Sequence, residues 1–184
     1  MKYLKTTVIA VSAAVSCSAF AGGIISESES NNTLGTANDL GLFDVPGGSI
    51  AVDGVLATGD VDWFEFELAN TASLSFFAAF GTEGDGLMQI VAAGGDVLAF
   101  DDDSGVGLMP AIQLDDLAAG IYYIGFSGFG DVDSGSVASD ELADGVGHDE
   151  EFAYKLSVGF TVVPAPSSMA LLGMGGMIAT RRRR

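Results

Sequence analysis

Cysteine is almost missing from this 184-residue chain: Cys17 is the only one, and it falls near the start. Disulfide bonds and thiol chemistry are therefore excluded from everything after it. Histidine is equally scarce, with His148 alone, and no arginine precedes Arg181. After Cys17 neither a Cys-His pair nor a zinc site of several histidines can be built from that inventory, and any Ser-His-Asp triad would have to use His148. Long apolar runs are lacking too. The stretch Met169–Thr180 holds about twelve residues, short of the roughly 20 that cross a bilayer as a helix. Positive charge is the last shortage. Of seven Lys and Arg, six lie at the ends (Lys2, Lys5, Arg181–Arg184), whereas all 25 Asp and Glu lie between Glu27 and Glu151.

Both ends read as targeting sequence. Lys2 and Lys5 make a charged start, Thr6–Ser16 an apolar stretch, and Ala19-Phe20-Ala21 a small-x-small cleavage site, so residues 1–21 are expected to be a signal peptide cut by signal peptidase. Cys17 is no lipidation site by this reading, because Ala14-Val15-Ser16-Cys17 lacks the leucine of a lipobox. At the other end, Pro164, Ala165 and Pro166 form a Pro-broken hinge ahead of the apolar run and four arginines. Arginines stay on the cytoplasmic side, which would hold the tail with its C-terminus inside and the preceding domain outside. Val163-Pro164-Ala165-Pro166, the run LLGMGG and Arg181, Arg182, Arg183 and Arg184 closely resemble the PEP-CTERM sorting signal. That resemblance implies processing by an exosortase-type sorting enzyme, a transient inner-membrane association through the tail, and delivery to the cell surface or extracellular matrix. Ala165 stands where the signal's name has Glu, which leaves the cut site open; a membrane-retained protein is the alternative.

Trimming both ends leaves Gly22–Val163 with 25 acids against Lys155, a formal charge of −24, where the whole chain carries −18. Such a surface repels nucleic acid and anionic lipid, and its self-repulsion opposes folding unless cations offset it. Its Phe, Leu, Ile and Val content still allows a buried core, so one globular domain is expected over 22–163. Short apolar runs separated by Gly, Asp and Ser clusters predict strands at Ser49–Leu56, Val61–Leu68, Ala72–Phe80, Leu87–Ala92, Asp96–Phe100, Ala111–Leu114, Ile121–Phe126 and Phe152–Val163, with a short helix over Thr36–Leu40. Phe64, Phe66 and Leu68 alternate with Trp63, Glu65 and Glu67, as on a strand with one face against a core. About eight such strands predict an all-β, antiparallel, jelly-roll-like sandwich, flanked by the signal peptide and a short apolar C-terminal helix.

Four motifs in order carry a second resemblance: Glu27-x-Glu29-x-Asn31-Asn32-Thr33 with Ala37-Asn38; Gly59-Asp60-Val61-Asp62-Trp63-Phe64; Phe100-Asp101-Asp102-Asp103-Ser104-Gly105; and Ala119-Gly120-Ile121-Tyr122-Tyr123-Ile124. Together they resemble the bacterial pre-peptidase C-terminal domain, a β-sandwich attached to secreted proteases. The resemblance implies calcium at Glu27, Glu29, Asn31, Asn32, Asp60 and Asp62. The chemistry agrees, since calcium takes six to eight hard oxygens in irregular geometry, and alternate residues of an extended segment project to one side. Solvated turn residues, with Asp60 in an Asx turn, are the other reading.

Weaker metal candidates are Asp101, Asp102 and Asp103, which also suit a solvated turn, and Asp131 with Asp133. The last two sit in the acidic segment Ser127–Glu151, whose length and low apolar content predict mobility, with His148 at its surface. Alternation puts Trp63 outside, beside Glu65 and Glu67, where its indole can stack on a ligand or pack under a loop; Phe77 is a second exposed aromatic. The functional expectation is an exported, non-catalytic, calcium-stabilised module that binds extracellular polysaccharide or a surface protein, for adhesion or matrix organisation. The alternatives are a carbohydrate-active hydrolase or its accessory domain, because two carboxylates about 5–10 Å apart suffice for glycoside hydrolysis, and a membrane-retained surface module for protein fibres or ice.

Overall fold

The computed structural model describes residues 22–80, 83–131 and 141–163. The signal-peptide region, the tail with its expected apolar helix, and Asp133 lie outside them. Ten strands build two five-stranded sheets. The first sheet contains β1 (Ile24–Ser26), β3 (Gly47–Leu56), β5 (Ala72–Phe80), β8 (Ala111–Leu117) and β10 (Phe152–Val162), in the order β1-β3-β10-β5-β8. The second contains β2 (Asn38–Phe43), β4 (Val61–Leu68), β6 (Gly86–Ala92), β7 (Val97–Asp101) and β9 (Gly120–Gly128), in the order β2-β4-β9-β6-β7. The architecture is an all-β sandwich. Its ladders are antiparallel except at one edge of each sheet, where β1 runs parallel to β3 and β2 parallel to β4.

All eight strands expected from the sequence are present, with ends shifted by a few residues. Those ends follow the pattern of apolar spacing. On β4, Phe64, Phe66 and Leu68 turn inward and are at most 2 % exposed, with Phe64 opposite Ile124 and Phe66 opposite Tyr122 of the neighbouring β9. Aromatic rings then join the two layers. Phe43 and Phe66 from the second sheet lie 4.4 Å from Phe160 and 6.0 Å from Phe76 of the first, centroid to centroid, and Phe126 lies 4.2 Å from Tyr154. Offset and tilted pairs at these distances add about 0.5–1.5 kcal/mol each beyond the area they bury.

The helix expected over Thr36–Leu40 does not form. Instead a single 3-10 turn, Leu34–Thr36, precedes β2. Thr36 closes that turn by accepting the Thr33 N–H through its hydroxyl, and Ala37 leaves it extended. Asn38 is then held by two bonds to the backbone of Ser28, which commits the chain to a strand. A bulge between Asp39 and Leu42, with Gly41 at φ +88°, interrupts the alternation that would have marked β2 as a strand.

Candidate metal centre

The segment leaving β1 and the mouth of β4 come together at one edge of the sandwich. Carboxylate oxygens of Glu27, Glu29 and Asp62 lie within 4.8 Å of one another, the only such group of three among the described residues. Asp62 is fully buried because it begins a strand whose next residues enter the core. Its Oδ2 accepts a 2.7 Å bond from the Tyr154 hydroxyl, and its Oδ1 has no hydrogen-bond partner. The same hydroxyl is 3.2 Å from Glu27 Oε2, so one proton serves two carboxylates. Glu27 Oε2 also accepts the Val55 N–H at 2.9 Å. Gly54 makes this approach feasible, since a Cβ there would overlap both Glu27 Oε2 and the Tyr154 ring.

Asn31 adds a second anomaly. Its side chain is wholly buried, and neither amide atom has a partner, an arrangement that costs about 1–3 kcal/mol per group when nothing compensates it. Its backbone carbonyl accepts the N–H of Trp63, the residue after Asp62, so the amide belongs to the same neighbourhood. Asn32 and Asp60 are used differently. Asn32 donates its amide to Asp60 Oδ1, which also accepts the Val61 N–H, so the two residues largely satisfy each other.

The electrostatics follow from burial without a counter-charge. Burial raises the Asp62 carboxyl to about 8, against the Tyr154 hydrogen bond and reinforced by the charges of Glu27, Asp60 and Glu29. Glu27 is raised by burial, opposed by its bonds from Val55 and Tyr154. Glu29 is raised by burial and by the charges of Asp60 and Glu27. The Tyr154 hydroxyl is pushed well above its ordinary value by burial and by Asp62 beside it. Lys155, the only Lys or Arg between Gly22 and Val163, is paired with Asp53 instead. Sequence reasoning missed Tyr154, although a tyrosine at an inward position between Phe152 and Leu156 signals a polar tip in need of a partner.

Other sequence candidates fall elsewhere. Asp101 caps its own turn, accepting from the Ser104 N–H and hydroxyl and from the Ala111 N–H, and Asp102 accepts the Asp103 N–H. Asp131 is buried, with Oδ2 accepting from the Ser127 hydroxyl and from the Gly145 N–H at 3.0 Å. Trp63 is not on an open face. It is 1 % exposed, packed with Val61, Leu87, Val91 and Ala143 in a second small core under residues 141–151. Its ring lies over Gly125, where a Cβ would come within 2.7 Å. A ligand-stacking role for Trp63 is thereby excluded.

The described part of the acidic segment is docked, although its low apolar content predicted mobility. Polar groups do the docking. Gln89, fully buried on β6, accepts the Ala143 N–H and donates to the Glu141 carbonyl, as a neighbouring strand would. His148 is not at the surface either. It is 5 % exposed, with Nε2 at 2.7 Å from the Asp60 carbonyl, which can only accept, so Nε2 carries the proton.

Residues 162–184 match the PEP-CTERM protein-sorting motif. The motif implies export, processing by exosortase-type machinery and sorting to the surface. Among solved structures, the fold is similar to the pre-peptidase C-terminal domain of collagenase from Bacillus anthracis, at 16 % identity and TM-score 0.43 over 66 % of this chain and 93 % of that one. It is also similar to Aeromonas hydrophila PliG, a periplasmic inhibitor of g-type lysozyme, at 14 % identity and TM-score 0.42 over 77 % of this chain and all of that one. No curated protein matches the chain. Among the described residues, no helix is long and apolar enough to cross a membrane.

Proposed function

We propose that the chain is an exported, non-catalytic β-sandwich whose edge is closed by one calcium ion, and that it works at the cell surface as a module binding extracellular polymer. The observation that carries the calcium reading is Asp62 Oδ1, a fully buried carboxylate oxygen without a donor, beside two further carboxylates and the unpartnered Asn31 amide. Glu27, Glu29, Asp62 and the Asn31 side-chain oxygen are hard donors of the kind calcium takes, and water completes six to eight ligands. Such an ion ties the segment after β1 to β4, thus one sheet to the other, and neutralises charge where no side-chain cation is available.

A hydrolase reading has one attraction, the raised Asp62 carboxyl beside Glu27. Complete burial of Asp62 argues against it, because a general acid must reach the bond it protonates. The binding role rests on the sorting motif and on the poverty of catalytic residues. The test is thermal unfolding of the purified chain after chelation. Millimolar calcium is expected to raise the melting temperature by about 5–8 °C, as an ion present at many times its dissociation constant stabilises by about 2 kcal/mol. The gain should vanish in the Asp60→Ala, Asp62→Ala double variant, and an unchanged melting temperature across the calcium titration would sink the reading.

A further inference from the structure

The two outer faces of the sandwich have opposite characters. On the second sheet, Glu65 and Glu67 point outward, and Ala143 together with Leu34 and Ala37 covers Trp63, Leu87 and Val91. The outer face of the first sheet is bare. Strand register sets out its composition in rows about 7 Å apart, two residues along each strand. One row runs Gly47, Thr161, Ser73; the next Ser49, Gly159, Ser75, Gln113; the next Ile24, Ala51, Ser157, Phe77, Ala111. A fourth holds Ser26, Asp53, Lys155 and Ala79. Asp53 and Lys155 pair with each other inside these rows, and the exposed, bulged Asp115 and Asp116 of β8 stand opposite Ser73 at the edge. A domain of charge −24 thus keeps one broad face whose interior, away from that edge, has no net charge.

That face is shaped as well as neutral. Phe77 stands 54 % exposed near its centre and Ile24 is 68 % exposed at its edge. Beside Phe77 lies a groove of about 300 Å³ lined by Gly48, Ser73, Ser75, Gln113, Gly159 and Thr161. Gly159 opens the groove floor, since a Cβ there would come within 2.9 Å of the Ser75 hydroxyl. Hydroxyls and one carboxamide offer both donors and acceptors, and the ring offers an apolar platform.

We infer that this face binds an uncharged polysaccharide, with a sugar ring stacked on Phe77 and its hydroxyls bonded along the Ser73, Ser75 and Gln113 groove. Charge selects the occupant. An anionic polymer is repelled by the surrounding acids. A second copy of the chain brings the same net charge, and this face has a single aromatic, Phe77, with no arginine and few large side chains to interdigitate, less than sheet-on-sheet packing or protein interfaces use. A neutral glycan meets no repulsion and matches the hydroxyl chemistry. The inference rests on the reading of the chain as a polymer-binding module and is independent of the calcium ion.

The test is retention of the full chain, in millimolar calcium, on cellulose, chitin and cross-linked dextran, with the anionic polymer alginate alongside. Retention is expected on at least one uncharged glycan and not on alginate. Phe77→Asp and Ser75→Asp should weaken it about tenfold, while Glu67→Gln on the opposite face leaves it unchanged. Melting temperatures establish that the variants fold, and their calcium response stays that of the parent. Retention on no uncharged glycan, on alginate alone, or undiminished by Phe77→Asp overturns the inference, as does self-association that Phe77→Asp abolishes. Failure of the calcium reading would appear only in the melting curves.

Discussion

Asp131 and Asp62 are both buried carboxylates at the ends of strands, yet the fold treats them oppositely. Asp131 is surrounded by donors: the Ser127 hydroxyl, the Gly145 N–H at 3.0 Å and the Asp144 N–H at 3.4 Å. Asp62 receives one shared tyrosine proton and faces Glu27 and Glu29. Where a buried charge serves the fold alone, the chain supplies its hydrogen bonds, as burial otherwise costs too much. Where the chain withholds them and adds like charges, an external cation is the partner we propose. The contrast separates a structural anchor from a binding site using only the donors around each carboxylate.

The largest effect that probes this contrast is the loss of the anchor. Asp131→Ala leaves the Gly145 N–H buried without this acceptor and the Ser127 hydroxyl with only the Asp60 carbonyl at 3.2 Å, and should cost about 2–3 kcal/mol in chemical denaturation, with and without calcium. Asp62→Asn should behave the other way. It keeps the acceptor for Tyr154 and removes the carboxyl that must otherwise stay protonated or ionise beside Glu27 and Glu29, so the metal-free protein melts no lower than its parent while the calcium gain of about 2 kcal/mol disappears. Equal destabilisation by both, independent of calcium, would erase the distinction.

The pH dependence is more gradual. In the metal-free protein the Asp62 carboxyl holds its proton up to about pH 8, whereas in the unfolded chain it releases it near 3.8. The folded state therefore binds more protons between those values, and stability is full below about pH 4 and is lost as pH rises toward 8. One such group gives a slope of at most about 1.4 kcal/mol per pH unit. Calcium binds the ionised form, so the gain it confers should grow over the same range. Melting curves at pH 5, 6.5 and 8, with chelator and with calcium, check both trends.

Much of this was legible in the sequence. Strands β3 to β10 announced themselves because each has one face on a common core, so alternation or an apolar run survives in the residue order. The strands β1 and β2 did not, being a three-residue edge and a bulged edge whose pairing is set by partners far along the chain. Glu27 with Glu29, and Asp60 with Asp62, were readable as pairs from their i, i+2 spacing, while only the family resemblance joined the two segments into one candidate site. Tyr154, about ninety residues from Asp62, was not, since only the β10 register brings it there. Trp63 does lie on the outer face, as alternation implies, but it is buried there. Alternation fixes which face a residue occupies, while the cover over Trp63 includes Ala143, whose segment is tied down by Gln89 and Asp131 through polar bonds that no apolar pattern records.

The most direct measurement of the central claim is isothermal titration of calcium into the chelator-stripped chain at pH 7.5, beside its Asp62→Asn variant. One ion per chain, with a dissociation constant of about 0.1 mM, the tight end of extracellular calcium modules, and no binding in the variant, is the predicted result. Absence of binding in the parent, or equal binding in both, would contradict it.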